Sequence, residues 1–102
     1  MNPPVFGRVH ALVKAIPRGR VATYGQLSEL IDKRLSAVGV GWALRGCGDA
    51  IPWHRVINAQ GRLSTKGASA DLQRDLLEAE GVSFSADGTV DLGRYQWRRR
   101  RR

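Results

Sequence analysis

The sequence predicts a mainly α-helical domain with a few short strands, built around a helix-turn-helix. Three observations carry this. Apolar residues recur at intervals of three and four from Val5, from Leu27 and from Leu72, the spacing that lines one face of a helix. Two helix-start signals, Thr23-Tyr24-Gly25-Gln26 and Ser36, lie close together, which sets two brief helices in succession. The runs with strand character, around 53–57, 82–84 and 90–92, are short and bounded by Gly, Asn or Asp, so no long strand fits.

Val5, Val9, Leu12, Val13 and Ile16 form the apolar face of the first helix. Pro17-Arg18-Gly19-Arg20 ends it in a tight turn, because proline cannot extend the backbone hydrogen-bond ladder. Val21-Ala22 leads to Thr23, which caps the second helix while Gln26 reaches back to the cap. Leu27, Leu30 and Ile31 face inward along that helix, which fades near Asp32-Lys33. Ser36 caps a third, short helix to about Arg45, with Ala37, Gly41 and Leu44 as its inner stripe and Gly46 as its stop. Gly46 to Pro52 is a loop. Trp53 to Ile57 is extended, and Asn58-Ala59-Gln60-Gly61 turns it. Residues 62–68 make a polar loop holding Lys66 and Gly67. A fourth helix runs from about Ser69 to Glu80, with Leu72, Leu76 and Leu77 inward and Gly81 as its stop. Val82 and Phe84 then face Val90 and Leu92 across Ala86-Asp87-Gly88 in a small hairpin, and Tyr95 and Trp97 cover the core.

With 102 residues, 42% of them hydrophobic, the chain suits one core-forming domain over 1–97. A basic arginine tail, 98–102, is read as disordered. No apolar run approaches bilayer-spanning length, and the N-terminus lacks the basic-then-apolar pattern of a secretion signal. A cytoplasmic location is therefore expected, nucleoid-associated in a bacterium, with no membrane partner. Cys47 stands alone, which excludes an intramolecular disulfide and a multi-cysteine metal centre. The five tail arginines supply +5 of the formal +8, leaving +3 for the body. Charge thus favours a polyanionic partner without saying which. The tail is either a solvated arm or a set of added phosphate contacts.

The most distinctive stretch is Ile51-Pro52-Trp53-His54-Arg55-Val56-Ile57-Asn58. It joins three others: Ile16-Pro17-x-Gly19-x-Val21-x-Thr23-Tyr24-Gly25, Val40-Gly41-x-Ala43-Leu44, and Leu77-Glu78-Ala79-Glu80-Gly81-Val82. In this order and spacing, over roughly residues 5–97, the set resembles the O6-alkylguanine-DNA alkyltransferases and, more narrowly, the alkyltransferase-like proteins. The transferases carry a reactive cysteine where this chain has Trp53. A thiolate takes an alkyl group by nucleophilic attack, whereas an indole offers a flat face and one N–H donor. The resemblance therefore implies recognition of O6-alkylguanine in double-stranded DNA without repair, by a monomer with no catalytic residue, cofactor or metal. It also implies that nucleotide excision repair proteins receive the site. The implied fold is winged-helix-like, with its helix-turn-helix in the minor groove. The duplex bends and the guanine leaves the stack, since an atom inside a duplex cannot be inspected closely.

On that resemblance, Tyr24, Pro52, Trp53 and Lys66 line the lesion pocket. Trp53 stacks on the base, Tyr24 presses on the target phosphate, and Lys66 meets the guanine face and O6 edge. Thr23, Tyr24, Gln26, Val38, Trp42 and Arg45 face the DNA, Arg45 through a phosphate. His54 and Glu80 match the pair that activates the transferases' cysteine. With no thiol to deprotonate, they form a hydrogen-bonded scaffold together with Arg55 and Asn58. One position departs from the family. Its third helix normally sends an arginine into the base stack, and here that residue is Val38. Arg34 substitutes if the helix starts before Ser36; Trp42, one turn after Val38, either stacks or packs against the long loop. Two other readings stand: a suicidal alkyltransferase using Cys47, and a winged-helix protein that binds unmodified DNA, generally or by sequence.

Overall fold

The computed structural model describes residues 4–45, 47–63, 65 and 67–98. Helix α1 (Pro4–Ala15) gives way to the predicted turn, in which the Arg20 N–H donates to the Pro17 carbonyl at 3.1 Å. Strand β1 (Ala22–Thr23) follows, and Thr23 immediately caps α2 (Tyr24–Leu30). Thr23 Oγ1 accepts from the Gln26 N–H at 3.0 Å, and Gln26 Oε1 accepts from the Thr23 N–H at 3.3 Å. This is the expected reciprocal capping box. The chain leaves α2 through Asp32 and Lys33, both left-handed with φ of 57° and 58°. Ser36 then caps α3 (Ala37–Leu44) by accepting from the Gly39 N–H at 3.1 Å. The helix-turn-helix is therefore α2 and α3. Two 3₁₀ turns, Gly48–Ala50 and Trp53–Arg55, lead into β2 (Val56–Ile57). Helix α4 (Ala68–Ala79) and a one-turn α5 (Leu92–Tyr95) complete the order.

The seam of the molecule is the parallel pairing of β1 with β2, Ala22 opposite Val56 and Thr23 opposite Ile57. Successive strand residues face opposite sides. Ala22 and Val56 accordingly enter a core of Val9, Val13, Leu27, Ile31 and Val40, while Val21 and Ile57 enter a second core of Leu77, Val82, Val90 and Tyr95. The C-terminal segment joins the same seam: the Val21 N–H donates to the Tyr95 carbonyl at 2.9 Å and the Trp97 N–H to the Val21 carbonyl at 2.6 Å. Gly81, at φ 93°, ends α4 as expected. The Gly81 N–H reaches the Glu78 carbonyl and the Val82 N–H the Leu77 carbonyl, both at 3.0 Å, a Schellman pair sealed by burial of Leu77 and Val82 together.

Several expectations need correction. The inner stripe of α3 is Gly39, Val40 and Ala43, not Ala37, Gly41 and Leu44. A Cβ on Gly39 would lie 3.1 Å from Leu35 Cδ2, so that glycine is what lets the helix seat. Because Ser36 caps α3, Arg34 lies outside the helix. Trp53–Arg55 is wound rather than extended, closed by a 3.0 Å bond from the Arg55 N–H to the Pro52 carbonyl. Leu72 is 49% exposed, and Gln73, 1% exposed, takes its expected inward place. Leu92 opens α5, which Asp91 caps through the Gly93 N–H, so the hairpin is reduced to the antiparallel Phe84–Val90 bridge and the Ser85–Thr89 turn bond inside it. Gly46 and residues 99–102 lie outside the described residues.

Candidate nucleic-acid interface

The β1–β2 seam places the start of α2 beside the turn that follows β2. Between α3 and that turn opens a groove of about 650 Å³, lined by Tyr24, Gly25, Ala37, Val38, Gly41, Trp42, Leu44, Arg45, Asn58, Ala59 and Thr65. The stripe read from sequence as the inner face of α3 is thus its groove face. Gly41 faces the ring of Tyr24: a Cβ there would sit 3.8 Å from Tyr24 Cε1, in ordinary contact. Val38 and Trp42 stand 66% and 60% exposed along the same helix. The volume falls within the range of about 300–1,000 Å³ typical of ligand pockets. Asn58 shapes the far wall, its Oδ1 accepting from the Gln60 and Arg62 N–H groups at 3.0 and 2.9 Å.

Behind this wall lies a buried ionic network. The Glu80 side chain is 6% exposed, with Arg55 at 16% and His54 at 12%. Arg55 donates from Nε to Oε1 at 3.0 Å and from its terminal nitrogen to Oε2 at 2.8 Å, the bidentate geometry that guanidinium and carboxylate favour. Its other terminal nitrogen reaches the Ile16 carbonyl at 2.8 Å. His54 Nε2 lies 2.7 Å from Glu80 Oε2. An ionised carboxylate only accepts, so Nε2 carries the proton. The turn at 17–20 docks on the same site, with the Gly19 N–H on Glu80 Oε1 and the Arg18 guanidinium on the Ala79 carbonyl, both at 3.0 Å. Burial pushes the Glu80 carboxyl upward, but Arg55, the Gly19 N–H and His54 outweigh it and hold the pKa at about 2.

His54, Arg55 and Glu80 of the predicted scaffold are therefore brought together, whereas Asn58 braces its own turn through Gln60 and Arg62. Of the expected DNA-facing residues, Tyr24, Val38, Trp42 and Arg45 line the groove. Thr23 and Gln26 do not, because both are consumed by structure. Thr23 is 6% exposed in the cap, and the Gln26 amide, besides capping, donates to the Trp97 carbonyl at 2.6 Å and accepts from Gln96 at 2.8 Å. Of the three described members of the expected pocket quartet, Tyr24 alone lines this groove. Trp53 is half-buried at the head of its 3₁₀ turn, edge-on to His54 with centroids 6.2 Å apart and planes at 90°. Pro52 lines a second depression of about 460 Å³ with Lys14, Ala50, Ile51, His54, Arg55 and Leu76. Winding of residues 53–55 accounts for this divergence, since His54 and Arg55 turn to Glu80 instead of alternating across a strand. Lys66 lies outside the described residues, although its neighbour Thr65 lines the groove. Cys47, half-buried after α3, is not among the lining residues.

Gln73 is the contributor that sequence reading missed. Its Nε2 donates to the His54 carbonyl at 3.1 Å and the Val56 carbonyl at 3.0 Å, and its Oε1 accepts from Thr65 Oγ1 at 2.7 Å. One buried amide thus ties α4 to the 3₁₀ turn and to the groove wall. The only signal for it was its place one turn before Leu77 on the buried face of α4.

The geometry has counterparts in known proteins. A family model described as 6-O-methylguanine DNA methyltransferase, DNA binding domain, matches residues 4–82. The DNA base-flipping protein of Escherichia coli strain K12 is 44% identical over 92 residues, covering 88% of this chain and 71% of its own. Alkyltransferase-like protein 1 of Schizosaccharomyces pombe is 35% identical over 101 residues, covering 91% and 94%. Among solved structures, S. pombe Atl1 in complex with damaged DNA containing O6-carboxymethylguanine aligns with a TM-score of 0.81 at 34% identity, over 97% of this chain and 100% of that one. Mycobacterium tuberculosis OGT in complex with DNA aligns at 0.69 and 32% identity, over 78% of this chain and 51% of that one.

Proposed function

The chain belongs to the family of the 6-O-methylguanine DNA methyltransferase DNA-binding domain, and on that premise we propose that it recognises O6-alkylguanine in duplex DNA without removing the alkyl group. The helix-turn-helix approaches the minor groove, the duplex bends, and the damaged base turns out of the stack toward the groove beside Tyr24. The observation that carries this reading is an indole at the head of a turn whose ionic network is intact. Trp53 stands where a transferase needs a thiolate, while His54, Arg55 and Glu80 still hold the segment in shape. An indole takes no alkyl group by displacement, but its face stacks on a purine. We assign that stacking to Trp53 and contact with the guanine O6 edge to Lys66, which lies outside the described residues; Pro52 lines the neighbouring depression. A lesion that is bound but left chemically intact must be removed by another system, which we assign to nucleotide excision repair proteins reading the bent complex.

The test compares equilibrium binding to a duplex with one O6-methylguanine and to its unmodified twin. It uses wild type and Trp53→Ala at one stated salt concentration, because phosphate contacts make affinity steeply salt-dependent. Wild type should prefer the lesion, and Trp53→Ala should lose about tenfold on the lesion duplex, as expected for one base–aromatic stack. The methyl group should stay on the DNA. Equal affinity for the two duplexes refutes the proposal, and a methyl adduct on Cys47 by mass spectrometry refutes its non-enzymatic part.

A further inference from the structure

We propose that Trp42, shouldered by Val38, is the wedge that fills the base stack where the target nucleotide has left it. This rests on the base-flipping reading above. Val38 and Trp42 are two of the three exposed large hydrophobic residues among those described, the third being Leu72 on α4. They lie one turn apart, so they share a face of α3, and both sit in the groove with Tyr24. An apolar pair kept in water at the mouth of a groove marks a surface that a partner covers. Arg45, three residues beyond Trp42, lines the same groove, and the chain carries a formal charge of +8. A cation beside an indole suits a partner with anionic backbone and flat apolar interior steps, which is a nucleic acid duplex.

The fit is chemical as well as geometric. Apolar side chains pushed into a base step hold it open, and an aromatic ring replaces a base as a stacking partner whatever that base is. Valine has no hydrogen-bonding group, and tryptophan has a single N–H at its edge. The wedge therefore holds the gap without reading the base left unpaired across from it. Arg34, whose guanidinium could read that base, precedes the Ser36 cap and is not among the groove-lining residues.

The experiment measures binding to a duplex carrying O6-methylguanine and to its unmodified twin, with wild type, Trp42→Ala, Trp42→Phe and Val38→Arg. Trp42→Ala should bind the lesion duplex about tenfold more weakly, with a clearly smaller loss on the unmodified duplex. Trp42→Phe should retain most of the lesion preference. Wild type should follow pairing strength alone, binding the lesion more tightly the weaker its pairing with the opposite position, and Val38→Arg should add a preference for cytosine through its guanidinium donors. Full activity of Trp42→Ala, with wild type still preferring the lesion, overturns the wedge and leaves base flipping standing. Equal losses on both duplexes make Trp42 a general contact and also overturn it. Absence of lesion preference in wild type sinks both proposals. Should Trp42→Ala fail to fold, the opposite-base series with wild type and Val38→Arg decides alone.

Discussion

Glu80→Gln keeps the shape of a nearly buried side chain and removes its charge, and its effect on stability should depend on pH. The Glu80 carboxyl is held at about 2 against an ordinary value of 4.5. A carboxyl whose pKa is lower in the folded than in the unfolded state stabilises the fold above the unfolded value, and loses that contribution as pH falls toward the folded one. For Glu80 the contribution is complete above about pH 5 and gone near pH 2. At 1.36 kcal/mol per pKa unit, the fall from 4.5 to about 2 corresponds to roughly 3 kcal/mol. The side chain is 6% exposed, so little of this is lost to solvent screening. At pH 7, Glu80→Gln should therefore cost about 3 kcal/mol, as expected when a buried guanidinium loses its carboxylate. Urea denaturation of both proteins at pH 7, 5, 3.5 and 2.5 reads the effect, and the gap should narrow steadily below pH 5. Asp87, whose carboxyl Ser85 and Thr89 also hold at about 2, titrates equally in both proteins and cancels. A gap that stays constant across the series would refute the ionised network, as would wild-type stability of Glu80→Gln at pH 7.

Two further predictions concern the walls of the groove. Gln73→Leu preserves bulk but removes the partner of the His54 and Val56 carbonyls and of the Thr65 hydroxyl, at about 1–3 kcal/mol for the buried Val56 carbonyl left unpaired. Thermal melts and amide exchange at Val56 and Thr65 report it, and an unchanged Tm would count against the bridging role. Gly61→Ala should cost about 1–3 kcal/mol, because Gly61 sits at φ 79° and a Cβ there would lie 2.5 Å from the Val90 carbonyl oxygen. The Val90 N–H bond to the Gly61 carbonyl, 2.8 Å long, should then exchange faster; native stability would show that the turn relaxes freely.

What could be read from the sequence was whatever is determined within a turn or two of chain. The Thr23–Gln26 box, the Ser36 cap and the Gly81 stop each join residues three to five apart, and each appears where expected. The phase of α3 was misread because Ala-Val-Gly-Val-Gly-Trp-Ala-Leu has no polar face to set it. Burial of Gly39, Val40 and Ala43 sets the phase instead, and it leaves Val38 and Trp42 outward. Trp53–Arg55 was read as strand because Val56 and Ile57 are strand formers. Its winding answers to Glu80, 25 residues from Arg55, and to Gln73 on α4. Membership of the scaffold was evident in the Pro52-Trp53-His54-Arg55 motif. The side to which each of those residues points was not, because it is set by bonds that no local pattern records.

The two paired positions of β1 and β2 act as a weld between the halves of the molecule. Ala22 and Val56 are anchored in one hydrophobic cluster and Ile57 in the other, while Thr23 caps α2, so the pairing ties the two halves together. The gap between α3 and Asn58 is accordingly preset before any ligand arrives. On the proposed reading, such a molecule acts as a fixed-jaw gauge, and deformation is left to the nucleic acid.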